Sequence, residues 1–546
     1  MAFEFNLITE PWIPCLRQDG SIVTLGLLET LGQAHELREI HDDSPLVTVS
    51  VHRLLLAILH HIFGPPDSTA WAQLWANGQG SFDRAKLQDY FQQPSRWSRF
   101  DLFHPEHPFL QSPNLAYSIP DPKGKKDKVY AATIARLATD RASGNNATLF
   151  DHSVDAEPVE VSAAEAARLL VAAQAFSLGG RITAENADEG SADASPLCRA
   201  AVILIEGENL FQTLLYNLVA YDGTIQVASR SDPNHDRPAW DRPPLKAAGD
   251  RMPNGYLDWL TWQSRRIRLW PEANAAGQPV VRSVVLMMGE QFPEGFQRKQ
   301  IETMCAFRKN PGAKGTDPWL ALEFSAERVV WRNSMALFEA VDQVSDPPAT
   351  LEWLATLESE RRIPARTVYP LSLRGLVSDQ ATPIFWRHER IDLPLSLLNS
   401  PELQDVVRYA LGIAEHAQRN LTRGLREFAR YLLVSDSARQ PGTTTKKEIE
   451  ALAKNFGAER NFWAQAEIVF YRLLRDLGAV PTNSPEQQDT ECDRLRAQWL
   501  QQVRDLSREV FEHILQHEAG SARILRARVV AENVFGRFDY QLGHPR

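Results

Sequence analysis

The pattern of apolar and polar positions divides the chain in two. From Leu393 onward, apolar residues recur every three or four positions, as at Trp463, Ala466, Val469, Phe470, Leu473 and Leu474. That is the period of an amphipathic helix. Helices are predicted at about Leu403–Leu433, Lys446–Leu477, Gln487–His517 and Ser521–Phe535, with breaks at Gln440-Pro441-Gly442 and Pro481–Pro485. Long helices joined by short breaks predict an antiparallel four-helix bundle over residues 393–546. Over residues 1–392, short alternating runs are interspersed with a few helices. This predicts a large mixed α/β domain and places the chain in the α+β class.

Within that first domain, Phe3–Ile8 and Ile22–Leu25 read as paired strands, the first stopped by Pro11-Trp12-Ile13-Pro14. Asp42-Asp43-Ser44-Pro45 is a helix start, with a capping side chain followed by Pro in the first turn. The helix over Leu46–Phe63 ends at Gly64-Pro65-Pro66. Its His52, His60 and His61 read as buried structural histidines, since no H-E-x-x-H arrangement accompanies them. A second helix over Ala163–Phe176 leads into Gly179-Gly180. The glycine pair is either a helix C-cap or backbone lying flush against a ligand. Strands follow at Ala200–Glu206, Tyr256–Pro271 and Val280–Met288, then a polar turn at Gln297-Arg298-Lys299-Gln300.

Arg374–Arg390 sits where the chain changes character. Residues Gly375 to Pro383 read as a tight hairpin turn, which puts the Gln380 amide at an exposed tip. The interval Ser112–Val161 is long and polar. It holds the basic cluster Lys123, Lys125, Lys126 and Lys128, and the run Ala142–His152 with an isolated Phe150. A structureless interval of that length is either disordered or functional, and Phe150 is suited to stacking on an unpaired base.

Composition and charge limit the functions. The 546 residues are 43% hydrophobic and 23% charged, an ordinary globular balance. The net charge of −10 argues against a protein that coats nucleic acid alone, though not against a subunit touching it locally. Four widely separated cysteines form no C-x-x-C pair, which fits a reducing cytoplasm and leaves no zinc knuckle. Neither a signal sequence nor an apolar run of membrane-spanning length is expected. His104, Glu106 and His107 are candidate metal or hydrolase residues. The prolines around them deny a helix that would align ligands, so a packed loop is expected. A P-loop and a nucleophile elbow are both missing, so no enzymatic activity and no cofactor are expected. Arg419, Arg423, Arg426 and Arg430 make one basic helical stripe, either a solvated face or a contact for a partner or strand.

Read in order, several segments resemble one family: CasA, the large subunit of the type I-E CRISPR surveillance complex Cascade. They are Asn6–Pro14, Asp42-Asp43 before an apolar helix, His107–Gln111, Ala142–Phe150, the Arg374–Arg390 hairpin and the terminal bundle. The resemblance implies a non-catalytic subunit acting in antiviral defence. Its partners would be the other Cascade subunits, crRNA, double-stranded target DNA and a helicase-nuclease. It implies minor-groove reading of a PAM by a glycine loop at Gly179-Gly180 and a lysine finger near Arg298-Lys299, with Lys299 preferred. A wedge at Gln380, flanked by Asp379 and Ala381, would start R-loop formation. A contact loop to crRNA or neighbouring subunits would include Asn145, Asn146, Phe150 and His152. Some relatives carry a cysteine zinc site that this chain lacks. The alternatives are a protein-binding scaffold without DNA readout, or a hydrolase.

Overall fold

The computed structural model describes residues 3–77, 80–119, 127–138, 159–181, 191–221, 235–310, 317–325, 329–338, 344–364, 366, 368–379, 382–434, 443–481, 484–517 and 520–543. The chain divides into two compact units. The first comprises residues 1–330, 339–365 and 370–391; the second comprises 331–338, 366–369 and 392–546.

The first unit is built around the helix Pro45–Phe63. Ser44 is its N-cap and Pro45 occupies its first turn; the Ser44 side chain makes no capping bond. All but three of its residues are buried. It packs against the helices Ala163–Phe176 and Tyr256–Leu260. Contrary to the sequence expectation, its length and apolarity would suffice to cross a membrane; here they make it the core helix. His52 and His60 are buried on it, and burial holds their pKa values down at about 4 and about 3. Both imidazoles are therefore neutral.

Around this helix lie small sheets. Ile13–Arg17 pairs with Ile22–Leu25 and Leu37–Ile40. The opening strand is thus Ile13–Arg17 rather than Phe3–Ile8. Pro14 is tolerated in it, while Asn6 makes only an isolated bridge to Asp101. Arg265–Ala273 and Pro279–Met288 form a long antiparallel hairpin. Tyr256–Leu260, expected to continue that strand, is instead a short helix. Its N–H groups at Leu257 and Asp258 are accepted by the Asp236 carboxylate, an acceptor far away in sequence.

The third sheet has the order Val202–Ile205, Tyr369–Asp379, Thr382–Leu393. Its two long strands form an arm considerably longer than the expected hairpin. Gly375 lies in a strand rather than a turn. A Cβ there would sit 2.3 Å from the Ala200 carbonyl oxygen and 3.1 Å from the Phe324 ring. Glycine is needed for this close backbone approach.

The second unit is helical. Pro401–Leu433 packs against Thr443–Asn455, Ala458–Gly478, Pro485–His517 and Ala522–Gly543. The helix expected over Lys446–Leu477 is two helices, broken at Gly457 with φ +67°. Close packing shapes the core. The Phe511 and Phe535 rings stack at 4.3 Å, and a Cβ on Gly424 would meet Phe511 at 2.9 Å.

Candidate nucleic-acid interface

The helix Ala163–Phe176 positions the glycine pair. Ser162 caps its start by accepting from the Glu165 N–H, and Ser177 ends it by donating back to the Ala173 carbonyl at 2.6 Å. The C-cap is therefore Ser177, and the glycines lie beyond it. Gly180-Arg181 pairs antiparallel with Ser191-Ala192. Gly180 has φ +142°, which disfavours any side chain, and a Cβ at Gly179 would meet the Ala194 nitrogen at 2.9 Å. Both glycines are required, one by conformation and one by proximity.

Arg265 holds this turn from below. Its buried guanidinium donates to the carbonyl oxygens of Leu178 at 2.9 Å and Asp193 at 2.7 Å, bracing both sides of the glycine pair. Burial lowers its pKa to about 10, against the opposing influence of Cys198 and Asp193, so it stays charged at neutral pH. Asp193 N–H also donates to Gln291 Oε1 at 2.5 Å. Arg265 was not singled out by sequence reasoning. It shares a strand face with Ile267 and Leu269, opposite Arg266 and Arg268, so alternation marks it as the inward arginine, but nothing local names the carbonyls it braces.

Arg298–Gln300 forms a single 3-10 turn. Arg298 N–H donates to Asp317 at 3.1 Å, and its guanidinium donates to the Pro196 carbonyl at 3.1 Å. Lys299 Nζ lies 3.3 Å from Asp346 and 3.8 Å from the centre of the Trp319 ring. Beneath the turn, Glu302 N–H bonds to the Arg298 carbonyl. The Glu302 carboxylate accepts from Arg53 at 2.9 and 3.0 Å, from Trp259 Nε1 at 2.8 Å and from Met304 N–H at 2.8 Å. This buried ion pair ties the turn to the central helix, with the carboxylate well supplied with donors.

One stretch of chain connects all three elements. Ser191-Ala192 pairs with the glycine turn, Pro196 receives Arg298, and Val202–Ile205 pairs with Leu371–Arg374 of the arm. On its other side, Ile203 N–H bonds to the Met304 carbonyl. Glycine pair, basic turn and arm are thus all mounted on residues 191–205. The base of the arm is cross-braced. Arg374 Nε bonds to Ser372 Oγ at 2.8 Å, Ser372 Oγ contacts His388 Nε2 at 2.9 Å, and Arg390 pairs with Glu206 at 3.1 Å.

Asp379 ends the first strand of the arm and Thr382 begins the second. Gln380 and Ala381 between them lie outside the described residues, as do Asn145, Asn146, Phe150 and His152. Near the start of the second strand, Ile384, Phe385 and Trp386 are exposed. In the helical unit, Arg419, Arg423 and Arg426 are exposed on one helix and Arg430 is half-buried. Arg426 pairs with Glu450 at 3.1 Å and Arg430 with Glu427 at 2.8 Å. His104 Nδ1 accepts from the N–H groups of Glu106 and His107, making a local turn. No cluster able to hold a metal occurs among the described residues.

Solved structures that share this fold include CRISPR-associated proteins. Thermus thermophilus CasA shares 28% identity, covers 99% of this chain and 100% of its own, and has a TM-score of 0.76. Acidimicrobium ferrooxidans Cse1 shares 25% identity over 99% and 98%, with a TM-score of 0.77. The fold recurs in a chain of a CRISPR RNA-guided surveillance complex, at 20% identity and a TM-score of 0.72. Sequence narrows the class. The profile of the CRISPR-associated protein Cse1 family matches residues 6–510. The CasA/Cse1 protein of Thermus thermophilus is 32% identical over 99% of this chain and 98% of its own length. The chain belongs to the CasA/Cse1 family.

Proposed function

We propose that the chain is the non-catalytic large subunit of a crRNA-guided type I-E Cascade complex. In this reading it works in the cytoplasm, in antiviral defence. It recognises a PAM in duplex DNA from the minor groove, nucleates unwinding and helps recruit a helicase-nuclease. The observation carrying this is the common mounting of the glycine pair, the Lys299 turn and the arm on residues 191–205.

The chemistry fits a minor-groove reader. Glycine backbone reaches into a narrow groove without side-chain obstruction. A single lysine adds one charge and donors against a code that separates mainly A·T from G·C. Lys299 and Asp346 are both partly exposed, and such a pair contributes about 1 kcal/mol or less, so DNA can displace Asp346 at small cost. A wedge at Gln380, which follows Asp379 in sequence, has to offset an unstacking cost on the order of a few kcal/mol. Exchange of DNA duplex for RNA–DNA duplex is nearly balanced, so lowering the nucleation barrier is enough. The acidic total charge agrees with affinity supplied by the whole assembly rather than by this chain.

The reading is tested by reconstituting the complex with its crRNA and comparing binding to duplexes with and without a PAM. Lys299→Ala should reduce discrimination between the two. Unchanged discrimination would remove Lys299 from PAM reading.

A further inference from the structure

Away from the glycine pair, the basic turn and the arm, the first unit contains a cleft of about 730 Å³ at the end of the central helix. Its lining includes His60, His61, Arg96, Arg99, Arg237 and Trp240. The size is that of a small-ligand site.

The cleft has two chemically different ends. At one, His60 is 3% exposed, and neither ring nitrogen has a hydrogen-bond partner among the described residues. The ring is held edge-on to Tyr221 at 5.3 Å and Tyr256 at 5.1 Å. Burial alone depresses its pKa, to about 3, and no charged group contributes. This neutral imidazole has one N–H donor and one nitrogen acceptor, and both lie unsatisfied in the wall of the cleft. Leaving both unsatisfied is costly for a buried polar group.

The other end is charged. Arg96 is committed to Asp241 at 2.7 Å and stacks on Tyr90 at 4.1 Å. The Tyr90 hydroxyl accepts from Trp240 Nε1 at 2.9 Å and is hydrogen-bonded to His61 Nδ1, also at 2.9 Å. His61 Nε2 faces Asp241 at 3.7 Å. Asp236 is occupied by the N–H groups of Leu257 and Asp258. Among the described residues, Arg99 donates only to the Arg242 carbonyl, and exposed Arg237 has no carboxylate partner. Among the described lining residues, three arginines thus face two carboxylates, and neither Arg99 nor Arg237 is paired with one. Asp241, Arg96 and Arg237 all act electrostatically on His61, the carboxylate against the two arginines, and no charged group acts so on His60.

We propose that this cleft binds a nucleotide, with the uncharged edge of the base at His60 and the phosphate at Arg99 and Arg237. A planar heterocycle supplies the donor and acceptor that His60 lacks, and a phosphate gives Arg99 and Arg237 the anionic partner that neither has among the described residues. The nucleotide is either a free nucleoside monophosphate or the phosphorylated end of a strand.

The test is titration calorimetry on the full chain with AMP, UMP and inorganic phosphate. Saturable binding of AMP or UMP, tighter than phosphate, is expected. Arg237→Ala, at an exposed position that leaves folding intact, should weaken nucleotide and phosphate alike by about tenfold, the scale of one charge-assisted hydrogen bond. His60→Phe should weaken the nucleotide while leaving phosphate unchanged; His60→Gln, which keeps a donor and an acceptor, should retain nucleotide binding. Competition by a 5′-phosphorylated oligonucleotide, but not its 5′-hydroxyl counterpart, assigns the site to a strand end. Failure of both to compete assigns it to the free nucleotide. Absence of nucleotide binding, phosphate bound as tightly as AMP, or affinity unchanged by Arg237→Ala would each overturn the proposal.

Discussion

Arg298 and Lys299 are neighbours with opposite commitments. The Arg298 guanidinium is spent on the Pro196 carbonyl at 3.1 Å, inside the protein's own framework, whereas Lys299 is held only by a partly exposed ion pair and a ring face. Arg298→Ala is therefore expected to loosen residues 191–197, seen as faster amide exchange there. Lys299→Ala should leave exchange unchanged but lower the salt dependence of duplex binding by about one ion. The reverse pattern would reassign the two residues.

Arg265 is the brace of the glycine turn. Arg265→Met keeps most of the side-chain volume but strands the carbonyls of Leu178 and Asp193. A loss of about 2–4 kcal/mol is expected in urea unfolding, the scale for buried acceptors left without a charged donor. Weaker PAM-duplex binding should accompany it. A neutral substitution would mean that other contacts fix the turn.

His52 and His60 give the first unit an acid-sensitive core. Their folded values lie near 4 and 3, below the usual 6.5. Unfolded chains therefore bind more protons than folded ones below pH 6.5, and stability falls as pH falls. The loss at pH 5 should be about 2 kcal/mol per histidine. Thermal melts at pH 7 and pH 5 check this, and His52→Gln should show a shallower dependence. Equal melting temperatures at the two pH values would contradict the assignment.

Gly375→Ala tests the seat of the arm. The new methyl would meet the Ala200 carbonyl, a backbone atom that cannot rotate away. Destabilisation of about 1–3 kcal/mol is expected, as for overpacked cores. The same substitution at Gly412, where nothing lies within 4 Å, should be harmless or stabilising.

The α+β class and the run of C-terminal helices were legible because helical periodicity over twenty or more residues is a strong signal. The break at Gly457 was less so, since one glycine in a helical pattern is also tolerated without a break. Tyr256–Leu260 read as strand because its aromatics alternate, while its helix depends on a carboxylate twenty residues earlier in sequence. Gly179-Gly180 looked like a helix end; only the neighbouring Ala192–Ala194 backbone shows why Gly179 is needed, and only the positive φ of Gly180 shows why the second glycine is. The bracing roles of Arg265 and Glu302 left no local trace. Their partners lie 72 and 249 residues away, and a single sequence carries no record of such pairs.

The proposed function centres on Gln380, which lies between Asp379 and Thr382 in sequence, driving strand separation. Its most direct test is the rate of R-loop formation by the assembled complex carrying Gln380→Ala, on a PAM-containing duplex. The account predicts unchanged folding and a rate reduced at least about tenfold, a barrier change within the few kcal/mol of one unstacked step. Equal rates for the variant and parent complexes would contradict it.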